Sequence, residues 1–177
     1  MHRKAPGIVL AALLLSAGPV SAQGIKFMLG GGLTVPVSDY KNVDGAQNGW
    51  MGMLGAAVSF PVLPIGVRVE GLYGQNPHTG TATDKTLLYG GAASVVLKFG
   101  IPGPLSPYII GSAGYLDHHY SPGDSGNPST DEWKAMYGGG VGLSLSFVVI
   151  GAFIEGRYLA RSSTRFITAM GGLQIGI

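Results

Sequence analysis

The sequence predicts an all-β fold, an eight-stranded antiparallel up-and-down transmembrane β-barrel, and three observations favour it. Short runs in which apolar residues alternate with small residues recur along the chain, and a period of two is typical of strands. Aromatic residues stand ten positions apart at the two ends of three of these runs. The chain also combines 31 glycines with only 11% charged residues, which is unusual for a water-soluble domain.

The three aromatic pairs fit the height of a membrane. An even spacing puts both rings of a pair on the same face of a strand. Ten residues tilted by about 40° rise roughly 25 Å, the height of the lipid-facing band of a membrane barrel. Aromatic side chains are favoured at both edges of that band. The predicted membrane-interface aromatics are Trp50, Phe60, Tyr89, Phe99, Tyr137 and Phe147.

The first 22 residues have the pattern of a cleaved secretory signal peptide. A basic start at Arg3 and Lys4 precedes an apolar run over 8–15, and small residues lead up to Ala22. Such a run is too short to span ~30 Å of hydrocarbon as a helix. We therefore predict a signal peptide over 1–22, cleaved near Ala22 after Sec-type export, and one barrel domain over 23–177.

Removing the signal peptide changes the net charge. Of 11 Lys and Arg residues, Arg3 and Lys4 leave, so nine remain against nine Asp and Glu, and the mature chain is formally neutral. A neutral chain gives no reason to expect nucleic-acid binding. The absence of cysteine excludes disulfides and a lipoprotein attachment site.

Eight strands are predicted along the chain. Their connections alternate between shorter and longer, which is typical of an up-and-down barrel in an outer membrane. The long connections, 38–49, 75–85 and 118–132, contain turn-forming pairs such as Asp44-Gly45. The predicted strands are 26–37, 50–61, 65–74, 86–99, 107–117, 133–147, 151–160 and 166–177.

The two faces of each strand differ in kind. In the sixth strand, Val141 and Leu143 share the face of Tyr137, whereas Gly140 and Ser144 lie on the other. The small face is too weakly polar to solvate a barrel, and eight strands leave an interior just wide enough for side chains. We therefore predict that the apolar face meets lipid. A water-soluble lipocalin-like barrel with its apolar face inside is the less favoured alternative.

The fifth strand does not follow this rule. Tyr108 and Tyr115 are seven residues apart and fall on opposite strand faces. A β-bulge between them would put both rings on the outer face. The expectation for this strand is therefore a bulge.

Two acidic residues, Glu70 and Glu155, lie within predicted strands. Each has an arginine two positions away on its own face, Arg68 in the third strand and Arg157 in the seventh. These strands lie opposite each other in a closed eight-stranded barrel, so the four side chains can satisfy one another across the lumen. We predict that they form a structural lumen charge cluster. A gate or proton path is the alternative, and Lys98 is expected to point inward near the periplasmic rim.

The whole predicted mature chain resembles the small outer-membrane β-barrel superfamily that includes OmpA-type transmembrane domains and OmpX-like proteins. The phrases VRVEGLYG, SPYIIGSAGYL and FIEGRYLAR carry the resemblance. Members usually end in a strand that the barrel assembly machinery recognises. In that strand a glycine is followed by alternating apolar residues and a terminal aromatic residue. Gly172, Ile175 and Ile177 match this pattern, although isoleucine replaces the terminal aromatic residue. The resemblance implies the cell outer membrane of a Gram-negative envelope, with outer-membrane lipids including lipopolysaccharide and the assembly machinery as partners.

Candidates for chemistry are weak. Lipid A deacylases place a histidine shortly after the position of Tyr158, and no histidine follows here to activate Ser162. His118 and His119 are adjacent, and neighbours on an extended chain point in opposite directions and chelate poorly. We therefore predict no catalytic residue, no cofactor and no metal site.

Arg161 and Arg165 flank the last outward connection. Two interpretations stay open for them, pairing with lipopolysaccharide phosphates and an ordinary solvated turn. The predicted function is that of an integral outer-membrane protein with a structural or surface-interaction role and a filled, non-conducting lumen. A narrow pore or transport protein and, less favoured, a lipid A-modifying enzyme are the alternatives. The sequence names no surface partner.

Overall fold

Eight antiparallel strands form a single closed sheet in which each strand pairs with its neighbours in sequence and β1 pairs with β8. The computed structural model describes residues 24–42, 45–60, 63–79, 85–100, 104–121, 133–147, 149–162 and 164–176. The predicted signal peptide lies outside these residues. The elements are β1 Ile25–Val37, α1 Asp39–Asn42, β2 Gly49–Ser59, β3 Ile65–Pro77, β4 Lys85–Lys98, β5 Leu105–Ser121, β6 Trp133–Ser146, β7 Ile150–Arg161 and β8 Thr164–Gly176. The predicted eight-stranded up-and-down barrel is confirmed.

Burial alternates along the strands with the predicted period of two. In β3 the inward side chains of Arg68, Glu70 and Leu72 are buried, whereas Val67 and Tyr73 are exposed. The same alternation runs through β8. Because the lumen side is buried and the outer side is apolar and exposed, the barrel has the inverted distribution expected of a chain that meets lipid.

Strand β5 differs from the prediction in two ways. Its pairing with β4 and β6 runs without interruption from Lys98↔Tyr108 to Lys85↔Ser121, so the expected bulge is wrong. Tyr108 points into the lumen and Tyr115 points outward with 63% of its surface exposed. The strand also continues beyond the predicted end at Asp117, because β4 provides hydrogen-bonding partners as far as Lys85.

Other strands near the long connections are also longer than predicted. β3 extends to Pro77, and β4 begins at Lys85 directly opposite it. The long connection before β2 contains the short helix α1 and an isolated bridge between Ala46 and His78. The last connection is the tightest, because Arg161 pairs with Thr164. On the side of the long connections, strand pairing therefore continues beyond the predicted strand ends.

Small inward residues leave room for the large ones in the lumen. Gly140 in β6 faces Arg157 in β7, and a Cβ atom at Gly140 would lie 2.8 Å from the Arg157 Cα and still closer to the Gly156 carbonyl oxygen. Gly111, on the outer side of β5, has no atom within 4 Å of the corresponding position. The inward glycine is thus required by packing, and the outward one is not.

We expect Gly140→Val to destabilise the barrel by about 1–3 kcal/mol, because the added side chain overpacks the lumen against backbone atoms. The matched control is Gly111→Val, which adds the same side chain in open space on the outer face and should be neutral or slightly stabilising. Urea unfolding in detergent, followed by tryptophan fluorescence, measures both. Equal midpoints for the two variants would contradict this packing model.

Candidate functional site

The structure brings the four charged side chains of β3 and β7 into contact at the centre of the lumen. Arg68 donates from both Nη atoms to Glu155 Oε2, each at 3.0 Å. Arg157 holds Glu70 with two hydrogen bonds, one of them 2.9 Å between Nη2 and Oε2, and also donates to Glu155. Arg68 Nη1 lies 3.7 Å from Glu70 Oε2. The two strands on opposite walls are therefore linked by a closed ring of ion pairs.

This charge cluster is shielded from water on every side. The side-chain exposure of Arg68 is 2%, and that of Glu70, Glu155 and Arg157 is 0%. Charges this deeply buried are tolerated only when opposite charges and hydrogen bonds satisfy them. Two arginines and two glutamates balance to zero net charge. The cluster thus fills the lumen as a neutral plug.

Side chains that the sequence analysis did not assign complete this plug. Tyr108 donates its hydroxyl to Glu155 Oε2 at 2.8 Å, which explains why this ring points inward. The guanidinium of Arg68 lies 5.9 Å from the ring centroids of both Tyr108 and Phe153, within cation–π range. Met53 Sδ accepts from Arg157 Nη2 at 3.6 Å and from Arg68 Nη1 at 3.8 Å.

The predicted interface aromatics all lie on the outer face. Five of them are exposed to between 47% and 66%, namely Trp50, Phe60, Phe99, Tyr137 and Phe147, and Tyr89 is half-buried. Tyr89 contacts Trp133 edge to face, with 5.5 Å between ring centroids. Trp50, Tyr89 and Tyr137 form the upper aromatic girdle, at the end of the barrel with the long connections. Tyr73 belongs to the same girdle, and its ring centroid lies 5.7 Å from that of Trp50.

A buried carboxylate, that of Asp117, lies at the level of this upper aromatic girdle. Asp117 is opposite Tyr89 on one side and Trp133 on the other, and it is 0% exposed. The two rings cover the strand between them, and neither carboxylate oxygen has a hydrogen-bond partner among the described residues. Asp117 was the predicted last residue of the fifth strand, but it lies inside β5, which continues to Ser121.

The opposite end of the lumen from the short turns is covered by α1. Tyr40 in this helix is 0% exposed, and its ring contacts those of His78 and His118, with centroids 6.4 and 5.7 Å away. Below it, Asn76 Nδ2 donates to Thr34 Oγ1 at 2.8 Å. No periodic pattern predicts this mouth cap, because its helix is a single turn within a loop.

Arg161 belongs to the lumen and not to the surface. It is 2% exposed and donates from Nε to the carbonyl oxygen of Leu116 at 2.8 Å. Both interpretations of this residue, a lipid phosphate contact and a solvated turn, are therefore wrong. β7 extends to Arg161 in the same inward phase as Glu155 and Arg157. Arg165 is exposed on the outer side of β8.

Neither a metal centre nor a membrane helix is seen in the described parts of the chain. Within those residues, no group of three or more His, Cys, Asp or Glu side chains is placed to hold a metal ion. No helix there is both long enough and apolar enough to cross a bilayer.

Comparison with solved structures identifies the architecture. Neisserial surface protein A matches 88% of this chain and 98% of its own, with a TM-score of 0.68 at 15% identity. The Yersinia pestis attachment invasion locus protein Ail, in complex with the heparin analogue sucrose octasulfate, matches 87% and 99%, with a TM-score of 0.63 at 17% identity. The N-terminal β-barrel domain of Pseudomonas aeruginosa OprF matches 88% and 98%, with a TM-score of 0.50 at 15% identity.

This chain has the fold of the small outer-membrane β-barrels. The resemblance predicted from the sequence is confirmed at the level of the fold. Comparisons with protein-family models and with curated protein sequences find no match. At such low identity the likeness concerns the fold alone.

We expect Glu155→Gln to lower the free energy of unfolding of this barrel by about 3–5 kcal/mol, because Arg68 loses its carboxylate and a charge is left buried without compensation. Guanidinium titration of the refolded barrel in detergent measures the loss.

The matched control for this variant is Tyr108→Phe, which removes one hydrogen bond to the same carboxylate and leaves the charges balanced. It should cost about 1.5–3 kcal/mol at most. If Tyr108→Phe were as damaging as Glu155→Gln, the charge balance of the cluster would not be what stabilises the lumen.

Proposed function

We propose that this chain is an integral outer-membrane β-barrel protein with a structural or surface-interaction role and a filled, non-conducting lumen. The observation that carries the proposal is the inverted distribution of side chains. Leu54, Val141 and Ile154 are exposed to 67%, 63% and 62%, whereas Arg157 and Glu70 are buried. A contiguous apolar exterior on this scale is unfavourable in water and favourable in acyl chains.

The two ends of the barrel suggest its orientation. The described chain starts at Gly24 and ends at Gly176 on the side of the short connections, and the long connections lie on the other side. Bacterial barrels of this kind have short periplasmic turns and longer extracellular loops. The helix α1 and the bridge between Ala46 and His78 then face the outside of the cell.

Two separate layers support a closed lumen. The charge cluster occupies the middle, and the mouth cap formed by Tyr40, His78 and His118 covers the extracellular end. Eight strands enclose an interior that side chains alone can fill. Both layers would have to open for ions to pass, so we favour the structural role of the cluster over a gate or a proton path.

The extracellular connections are the part of the molecule best suited to contact a partner. The first two are joined, since Thr79 N donates to Gly45 O at 2.9 Å and Gln47 N donates to Pro77 O at 2.7 Å. They form a braced surface and not two independent loops. The similar folds include a protein named for the neisserial surface and one named for attachment and invasion. We propose a surface-interaction role through 38–49, 75–85 and 118–132.

The outer face and the strand ends suggest the remaining partners. Outer-membrane lipids, lipopolysaccharide included, would cover the apolar face, with the exposed Arg165 near the outer leaflet to meet their phosphates. The barrel assembly machinery would insert the chain after Sec-type export. We propose no catalytic activity, since the chain lacks the histidine that a deacylase places after the position of Tyr158.

Membrane integration predicts a specific behaviour on fractionation. The protein should remain with the outer membrane after carbonate and salt washes and dissolve only with detergent, because its exterior is apolar. The folded barrel should also migrate differently from the boiled chain on a denaturing gel. Recovery in the aqueous periplasmic fraction, with one migration species before and after boiling, would refute the proposal.

Planar bilayer recording tests the closed lumen against the pore alternative. We expect no single-channel conductance from the wild-type barrel, and none from the double variant Glu70→Gln with Arg157→Gln, because the mouth cap remains in place. A matched variant, Glu70→Gln with Arg157→Gln and Tyr40→Gly, disrupts both layers and provides the positive comparison. Steady wild-type conductance would favour the pore.

A further inference from the structure

Two lysines point into the lumen at the end with the short turns. Lys26 in β1 and Lys98 in β4 are both half-buried. Lys26 Nζ donates to Ser146 Oγ at 3.1 Å, and Lys98 Nζ donates to Ser59 Oγ at 2.9 Å. The expectation that Lys98 lies inward is met by this geometry. An ammonium group has three donors, so each lysine keeps donors beyond this contact.

This end of the lumen has more positive charge than the rest. Within the described residues neither Lys26 nor Lys98 forms an ion pair with a carboxylate. The two buried carboxylates of the charge cluster, Glu70 and Glu155, are already held by its arginines. Buried or half-buried charges without a counter-charge are costly. The two ammonium groups therefore lack the negative partner that the arginines have.

A cavity lies between Lys98 and the charge cluster. Its volume is about 30 Å³, and Lys98, Arg68, Ser144 and Gln174 contribute polar groups to its wall. Arg68 also carries a buried Nε atom with no hydrogen-bond acceptor among the described residues. The cavity is thus lined by two cationic side chains, one of which has a buried donor to spare.

The uncharged polar groups of the cavity wall also favour an anionic ligand. Ser144 Oγ accepts from Gln174 Nε2 at 2.8 Å, and Ser59 Oγ accepts from Lys98. A hydroxyl that accepts keeps its own hydrogen for donation. Lys98, Arg68 and these two hydroxyls can therefore donate hydrogen bonds at the cavity wall, whereas a cluster that binds a cation presents oxygen acceptors.

The size of the cavity limits the guest. One water molecule needs about 10–15 Å³, so a cavity of about 30 Å³ has room for a monatomic anion. Phosphate and sulfate have five heavy atoms each, so we expect them to bind more weakly than a monatomic anion. The rest of the wall is apolar, including Val96 and Phe153, which strengthens an interaction with charge by excluding water.

We propose that this cavity is a binding site for a monatomic anion, with chloride as the ligand, held by the Lys98 ammonium, the Arg68 Nε–H and serine hydroxyls. Lys26 adds a further positive charge at the same end of the lumen. The anion supplies the negative charge that Lys26 and Lys98 do not find among the described residues. It would enter from the periplasmic side, where the half-buried lysines border the opening.

Halide titration of the detergent-solubilised barrel tests the site. Chloride NMR linewidths should broaden with protein and narrow again when bromide is added, whereas phosphate at equal ionic strength should compete less. Crystals soaked in sodium bromide should show an anomalous peak in the cavity next to Lys98. Absence of the peak together with linewidths equal to those of protein-free detergent would overturn the proposal, as would competition by phosphate equal to that by bromide.

The variant Lys98→Gln keeps a hydrogen-bond donor but removes the charge, and we expect it to bind chloride about tenfold more weakly or worse. The matched control is Lys85→Gln, at the other end of the same strand, which should bind like the wild type. Unchanged binding in a folded Lys98→Gln barrel would refute the site. If that variant fails to fold, the bromide peak and the competition series in the wild-type protein decide the outcome alone.

Discussion

The barrel depends on the ion pairs that join β3 to β7 across the lumen. A buried salt bridge adds little net stability compared with apolar packing, but leaving one partner alone is costly. Side chains in a strand have a period of two, so a one-residue slip of β7 would turn Glu155 and Arg157 from the lumen to the lipid face. Any slip by an odd number of residues therefore exposes charges to acyl chains, and a slip by two residues separates the paired groups along the lumen. The charge cluster fixes the pairing of the strands by penalising the alternatives.

The fold and the cluster could be predicted from the sequence because both follow from the period of two. Once eight alternating runs are recognised, Arg68 and Glu70 must share an inward face, and closure puts Glu155 and Arg157 opposite them. Tyr108 was misjudged because its ring was assumed to belong to the outer face. Tyr108 and Ser112 are four residues apart and therefore share a strand face, and this already predicted that the Tyr108 ring lies in the lumen. A lone aromatic on the small face was thus the missed signal of a hydrogen bond to a buried carboxylate.

The mouth of the barrel could not be predicted because its contacts are tertiary. Tyr40 lies in one helical turn, too short to give a periodic pattern. Its neighbour His78 follows β3, and its neighbour His118 lies in β5. Asp117 and Arg161 were misplaced for the same reason. Charged residues near a strand end suggest solvent, and only the full length of the neighbouring strands shows that the ladder continues past them.

The seam between β1 and β8 joins the two ends of the described chain, with Lys26 opposite Gly176 and Val37 opposite Arg165. One edge of β1 therefore has no hydrogen-bonding partner until β8 has been synthesised. Until then the sheet has two open edges that invite pairing with other chains. A nascent chain of this topology gains protection from aggregation only at the final step of its folding, and closure by such distant segments makes that step slow.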